Sequence, residues 1–511
     1  NKFIETFGQP DKSKGITQSW PVRFQNIAGE KELDMVLKIP GIDENLLIKS
    51  AHYFEQKTNH KEEVLTYEIW SGEILGLKEP GDFMISRSKT GLISGHISLN
   101  GEYFKIRPID FVDALLIKKD FSELPPSECG NDLELQNTES VFSSNCPNPI
   151  TVPFCDPPPI GDRLCSQPWD FLNCYTDSLY DQILSVYQAI YAGNPFFVNL
   201  PPQLTVYDLT LGYRQTGVML VNSLMDYNFS MTTIEVPAAS VSVPQGNYNF
   251  QQWINADVDQ FEIYAKNNLG LGPNQTYDKA ILQTHRTYGG IYGYANGVPV
   301  TCNGYNNQLG ETAIVNYTQG MDYPWYAYPH EFGHLFGAQH DNATNTGLCN
   351  LGYIFRNNYN GPDRTIMAYL SDIDANLGKG SILRLSSPAL SYNGFVLGNL
   401  AHNNRWVIQN VICGNISSNA SRPVIKKIDL GFNPSGQFVV FPNPTSKSIT
   451  LNLETGTKQI QILSNQGKLL KTFYPKNTQL EIDLSPFASG TYLIRSTSAK
   501  DLNIYKVIKN D

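Results

Sequence analysis

The sequence predicts a multidomain chain: a β-rich N-terminal unit, a central α/β (α+β) module and a C-terminal β-sandwich. Three observations carry this. Both ends of the 511-residue chain are built from short strand-forming runs set between Gly, Pro and Asn turn signals. The middle alternates segments of helical periodicity with strand-like apolar runs. Inside that middle lies HEFGHLFGAQHD, residues 330–341, which holds three of the chain's eight histidines.

Composition sets the limits. The length predicts roughly three or four domains. With 41% hydrophobic and 17% charged residues the chain is of the globular class and can bury large cores. Its 28 Tyr, 25 Phe, 40 Gly and 31 Pro suit strands, turns and ordered loops better than helical bundles. A formal charge of −10, with no Lys/Arg-rich run, argues against a nucleic-acid partner. No apolar run reaches the roughly 18–20 residues of a membrane span. Cys146, Cys155, Cys165 and Cys174 fall close together, with Cys129 just before and Cys302, Cys349 and Cys413 downstream. No CxxC pair suggests a zinc ribbon, so disulfides formed in an oxidising compartment are expected. The chain begins at Asn1 with no signal peptide in view, and a targeting segment removed ahead of it is expected.

Taken in order, YEIWSGEILG (67–76), GDFMISRS (81–88), GLISGHISLN (91–100) and GEYFKIRPI (101–109) read as an antiparallel meander. SSNCPNPITVPFCDPPPIGDRLCSQP (143–168) is too rich in Pro for helix or interior strand and reads as an exposed connector. DSLYDQILSVYQAIYAG (177–193) has helical spacing, and QLTVYDLTLGY (203–213) reads as a strand. NFQQWINADVDQFEIYAKNNLG (249–270) reads as a helix, KAILQTH and GGIYGYA as strands. SRPVIKKIDLGFNPSGQ (421–437) links to a tail with two-residue alternation in SITLNL, KQIQIL, QLEIDL and GTYLIRS, a small β-sandwich.

The histidine segment carries the chemistry. His330 and His334, four apart on a helix, present their imidazoles on one face. Gly337 lets the chain leave the helix in a left-handed conformation, so His340 can return as a third nitrogen ligand. Three protein ligands leave a fourth position open, the arrangement of catalytic zinc. Glu331 is then placed to act as general base on a water and to pass the proton to a leaving amine. Pro329, just before the first ligand, implies that the helix begins there or kinks there. RTIMAYLSD (364–372) adds Met367 in a turn as an apolar floor for the metal, and Tyr369, whose phenol could reach the metal or an oxyanion.

His330, Glu331, His334, Gly337, His340 and Asp341, followed by Met367, resemble the metzincin metallopeptidases. Asp341 after the third histidine, and Gly333 inside the motif, resemble the adamalysin (reprolysin) branch. Tyr369 departs from it and is more like the astacin and serralysin turn, where such a tyrosine is a labile zinc ligand. The resemblance implies a two-lobed catalytic domain with a horizontal zinc cleft, one catalytic Zn2+, structural roles for Gly337 and Asp341, and Ca2+ as a further candidate. GGIYGYANGVPVTCN (289–303) resembles the upper edge strand that pairs with substrate. LSSPALSYNGFVLGNLAHNNRWVIQNV (385–411) is similar to the closing segment of bacterial metzincins, where a helix packs the lower lobe. His402 lies in it without a partner at ligand spacing and reads as structural or exposed.

The N-terminal unit resembles adamalysin-type propeptides through residues 72–108, and PPSECGND (125–132) resembles the cysteine switch of metzincin proforms. Cys129 would then ligate zinc as thiolate and keep the zymogen quiet. The alternative is a disulfide with one of the cysteines just downstream, which the even cysteine count favours. VVFPNPTSKSITLNL (439–453), IQILSNQGKLLKT (460–472), LEIDLSPFASGTYLIRS (480–496) and YKVIKN (505–510) resemble the C-terminal sorting domain of Bacteroidetes type IX secretion. That implies passage across the outer membrane to the medium or the cell surface.

The expected organisation is a β-rich propeptide with connector at 1–146, an α/β (α+β) metzincin catalytic domain at 147–418, a linker at 419–437 and an Ig-like sorting sandwich at 438–511. The expected function is that of a secreted zinc endopeptidase made as a zymogen, with protein or peptide substrates and the outer-membrane secretion machinery as partners. The alternative is a surface adhesin or carrier on a non-catalytic metzincin fold. Intact Glu331 argues against it, because a binder needs no base.

Overall fold

A computed structural model describes residues 2–120 and 169–296 with short gaps, the two-residue strand 128–129, and residues 311–317, 326–341, 351–355 and 364–368. It also describes 381–408 and 439–509, again with gaps. The expected connector at 143–168 and linker at 419–437 lie outside the described residues, as does Tyr369. The chain divides into two compact units, Asn1–Arg422 and Pro423–Asp511.

In the first unit a short helix α1 (Lys2–Phe7) precedes β1 (Ile16–Arg23), β2 (Asp34–Leu37), β3 (Leu46–His60), β4 (Glu63–Leu75), β5 (Gly81–Ser88), β6 (Ile93–Leu99), β7 (Glu102–Pro108) and β8 (Asp113–Lys119). β3 to β8 form a continuous antiparallel meander, closed by β1 on β8. Strand alternation is used on both faces. Met84 on β5 and Leu115 and Ile117 on β8 enter one core, while Phe83, Ile85, Ala114 and Leu116 enter another. A sheet apolar on both faces must be covered on both.

The cover on one face is helical. β9 (Glu128–Cys129) and β10 (Trp169–Thr176) lead into α2 (Asp177–Tyr191), α3 (Leu200–Leu209) and α4 (Leu211–Asn222). Thr176 caps α2, its hydroxyl accepting from Leu179 N. The expected strand at 203–213 is instead most of α3 and the start of α4. Its Val, Thr and Tyr residues favour strands by propensity, but burial decides. Leu204, Thr205, Tyr207, Asp208 and Leu209 are all buried, so α3 has no polar stripe to reveal a helical period.

β11 (Phe229–Val236), α5 (Phe250–Tyr264), β12 (Lys279–Thr284), β13 (Ile291–Ala295) and β14 (Thr312–Asn316) complete the α/β part. β11, β10, β12 and β14 are parallel neighbours, with β13 antiparallel on β14 at the far side. α5 opens with a capping box between Asn249 and Gln252. It ends in a π-turn closed by Gly270 at φ 72°.

The N-terminal sheet and the parallel sheet are one. The last residues of β3 pair in parallel with β11, with Thr58, Asn59 and His60 level with Met231, Thr232 and Thr233. The result is a 14-stranded sheet. At its other end β9 pairs in parallel with β13, Glu128 level with Ile291 and Cys129 with Gly293.

Helix α6 (Ala327–Leu335) is followed by β15 (Arg364–Thr365), β16 (Ser381–Ile382) and a hairpin of β17 (Ser387–Tyr392) and β18 (Phe395–Leu397). The second unit holds β19 (Val439–Phe441), β20 (Ser448–Asn452), β21 (Gln459–Ser464), β22 (Leu469–Phe473), β23 (Gln479–Asp483), β24 (Gly490–Thr497) and β25 (Leu502–Lys509). They form a three-stranded and a four-stranded antiparallel sheet. Ile449, Leu451 and Ile482 from the first share a core with Ile460, Ile462, Ile494 and Val507 from the second.

The cysteines require a correction. Cys174, expected among the disulfide-forming residues, is a free thiol, fully buried on β10. Its side chain fills the core between Leu172, Leu282 and Ile314, and burial raises its pKa, so it is held as an inert thiol.

Candidate metal centre

Helix α6 holds the first two histidines. Its cap, Tyr326, is left-handed at φ 48°, and the first helical hydrogen bond runs from His330 N to Tyr326 O at 3.0 Å. Pro329 is therefore in the first turn, where its missing N–H had no helical acceptor to lose, and the helix begins there without a kink. Phe332 packs on Phe171 with ring centroids 5.3 Å apart, and Phe336 on Trp169 at 5.0 Å. That anchors the helix on β10. The helix stops in a Schellman turn. Gly337 adopts φ 87°, Ala338 N donates to Gly333 O at 3.0 Å, and Gly337 N donates to His334 O at 2.9 Å.

The turn brings His340 back to the helix face. The Nε2 atoms of His330, His334 and His340 lie 2.9, 3.1 and 3.0 Å from one another. His330 Nδ1 donates to Ile366 O and His334 Nδ1 to Ala338 O, each at 2.8 Å. With their protons so placed, the Nε2 atoms of His330 and His334 carry lone pairs. Lone pairs do not hydrogen-bond to each other, so close approach of these nitrogens calls for a shared cation. Zinc at about 2.0–2.1 Å from each nitrogen fits a triangle of this size. Burial, then the neighbouring imidazoles of His340 and His330, pushes His334 well below the ordinary histidine range and keeps it a neutral donor. Among the described residues this triad is the group of three or more ligand-type side chains able to hold a metal. No second group of three or more His, Cys, Asp or Glu side chains among the described residues corresponds to the Ca2+ named as a further candidate.

Glycines shape the surroundings. Glu331 is buried, and its carboxylate lies against Gly293 of β13, where a Cβ would fall 2.4 Å from Glu331 Oε1. A Cβ on Gly333 would fall 2.4 Å from Met367 Sδ. Met367 is thus seated under the motif helix, fully buried, in a turn where Ala368 N donates to Thr365 O at 3.0 Å. A Cβ on Gly352 would in turn fall 2.5 Å from Ala368 N. Gly293 and Gly352 escaped the sequence reading. The signal for Gly293 was a glycine inside a strand run, which marks close approach by another group.

Of the remaining expected residues, Asp341 follows His340 and is half-buried. His402 stays out of the triad. Its ring meets Tyr353 edge-on at 5.3 Å, and burial lowers its pKa against the pull of Asp341. The backbone of Cys129 lies on the outer edge of β13, level with Gly293.

A three-histidine cluster on a helix and its following turn, with a methionine seated beneath the helix, is a group able to hold a metal ion. Residues 217–379 match metallo-peptidase family M12, and residues 439–510 match the secretion system C-terminal sorting domain. The chain thus carries an M12 metallopeptidase domain with a secretion tail, and it is a zinc metalloprotease. No curated protein matches it. Among solved structures it is similar to the crystal structure of metalloproteinase-II from Bacteroides fragilis. Identity is 12%, the TM-score is 0.27, and the match covers 72% of this chain and 94% of that one. A likeness at that level carries no weight for the fold or activity here. No described helix is long and apolar enough to cross a membrane.

Proposed function

We propose that the protein is a secreted zinc endopeptidase, made as a zymogen, that hydrolyses peptide bonds in proteins with Glu331 as general base. The observation that carries this is the convergence of three imidazole Nε2 atoms, two of them from the helix that also bears the buried Glu331. When bound, zinc supplies a Lewis acid that polarises the scissile carbonyl and acidifies water. Glu331 takes the proton of the attacking water and returns it to the leaving amine as the C–N bond breaks. The carbonyls of Ile366 and Ala338 hold the imidazoles of His330 and His334 in place. A substrate strand would add to the outer edge of β13, a mode in which main-chain hydrogen bonds provide affinity.

The zymogen reading draws on two features. β9 occupies that outer edge of β13, so a substrate must displace it. Cysteine arithmetic also turns in favour of a switch at Cys129. Eight cysteines less the free Cys174 leaves seven, so at least one more lacks a partner within the chain. In this reading residues 1–146 are the propeptide with its connector, 147–418 the catalytic domain, 419–437 a linker and 438–511 an Ig-like sorting sandwich. Tyr369 completes the proposed site as an oxyanion donor. The tail directs the enzyme to the medium or the cell surface.

A casein or gelatin zymogram of the activated protein tests the enzyme. Clearing is expected in the wild type and is abolished by a zinc chelator and by Glu331→Ala. Clearing that persists in Glu331→Ala would overturn the assignment of the base.

A further inference from the structure

We propose that the N-terminal unit stays docked on the catalytic module as a separate subunit after the chain is cut between β9 and β10. Activation would then free the edge of β13 without shedding the unit. This rests on the zymogen reading for the existence of a cut.

The seam is built like an interior. The backbone ladder of β3 on β11 continues one sheet through it. The side chains of Thr58 and Thr233 hydrogen-bond across it at 2.8 Å, as do His60 and Tyr175 at 2.8 Å. Helices α3 and α4 are held from both sides. On the catalytic side Gln283 and Asn173 donate to Leu209 O. On the N-terminal side Tyr207 OH donates to Ser86 O at 2.7 Å, Arg214 donates to Ser86 Oγ at 3.0 Å, and Gln56 donates to Tyr213 O at 3.0 Å.

A charge pair is sealed in the same seam. Arg107 of β7 donates to Asp208 Oδ2 at 2.8 Å and to Tyr187 OH at 3.0 Å, and its guanidinium lies 3.7 Å over the Phe7 ring. Both side chains are under 10% exposed, at 9% and 6%. Departure of the sheet would strip Asp208 of its counter-charge and bare an apolar core that includes Tyr67, Ile69, Met84, Leu115 and Ile117. β9, in contrast, holds β13 through two residues. Once cut from β10, that short strand can leave while the sheet remains.

The test places a site-specific protease sequence at residues 131–140 of the full chain carrying Glu331→Ala, which prevents self-digestion. After cutting, the two pieces are run on size exclusion and diluted under reducing conditions, so that no disulfide tethers them. Co-elution at the mass of the uncut chain, persisting from micromolar to nanomolar, is expected. Arg107→Ala should raise the dissociation constant of the cut pair roughly a hundredfold. Arg23→Ala, which removes an exposed pair with Asp113 away from the seam, should leave it unchanged. Separation at micromolar concentration, with either piece folded or not, overturns the proposal. The assay needs no activity. Failure of the zymogen reading would appear instead as full activity of the uncut wild-type chain.

Discussion

Gly293 shows how much of the site rests on single atoms that are absent. The Glu331 carboxylate occupies the space a β-carbon would take, so any side chain at 293 must displace that carboxylate. Gly293→Ala is therefore expected to lower kcat/KM about a hundredfold, the scale of a misplacement of about 1 Å, with the melting temperature nearly unchanged. Hydrolysis of casein beside a thermal melt measures both, and wild-type activity in the variant would refute the role. The ligands themselves were legible because histidines four apart on a helix share a face. Gly293 was not, since its partner lies 38 positions along the chain and no local pattern links a strand glycine to a distant carboxylate.

At the scale of elements, α3 and α4 are instructive because their sequence misleads. A helix buried over most of its surface shows little of the periodicity that reveals surface helices. Gly212 at the start of α4 lets the Tyr328 ring of α6 approach so closely that a Cβ would fall 2.4 Å from it. α4 thus packs directly against the helix that bears His330 and His334. β9 is the opposite case, two residues laid on an edge. If that strand and Cys129 keep the zymogen quiet, Cys129→Ser should show activity or self-cleavage during expression. A mass-mapped disulfide at Cys129 in the zymogen would dismiss the switch.

For the whole molecule, the joined sheet predicts a response to acid. Burial pushes His96 down to about 3 and His60 to about 4. His96 lies between Tyr103 and Tyr326, the cap of the metal helix, and His60 faces Tyr175 with Lys61 nearby. Below about 6.5 the unfolded chain binds protons that these folded histidines refuse, so their contribution is full above that pH and is lost as pH falls towards 4 and 3. Asp82, raised by burial to about 6, works in the opposite sense below that value, but it is one group against two. The melting temperature should fall between pH 7 and 5, and less steeply in His96→Phe. A slope that is the same in variant and wild type would remove His96 from the account.

The sequence by itself determined the three-histidine cluster, the glutamate set beside its first member, the methionine turn and the alternating strands of the tail. Each is written in positions a few residues apart, where helical and strand periods bring side chains together whatever the rest of the chain does. Tertiary structure alone decided that β3 fuses the N-terminal sheet to β11, that β9 lies on β13, that 203–213 is helical and that Cys174 is a buried free thiol. These depend on partners scores of residues away. Burial of α3 and α4 against the joined sheet, the β13 edge that β9 covers and the space beside Glu331 exist only once the layers have packed.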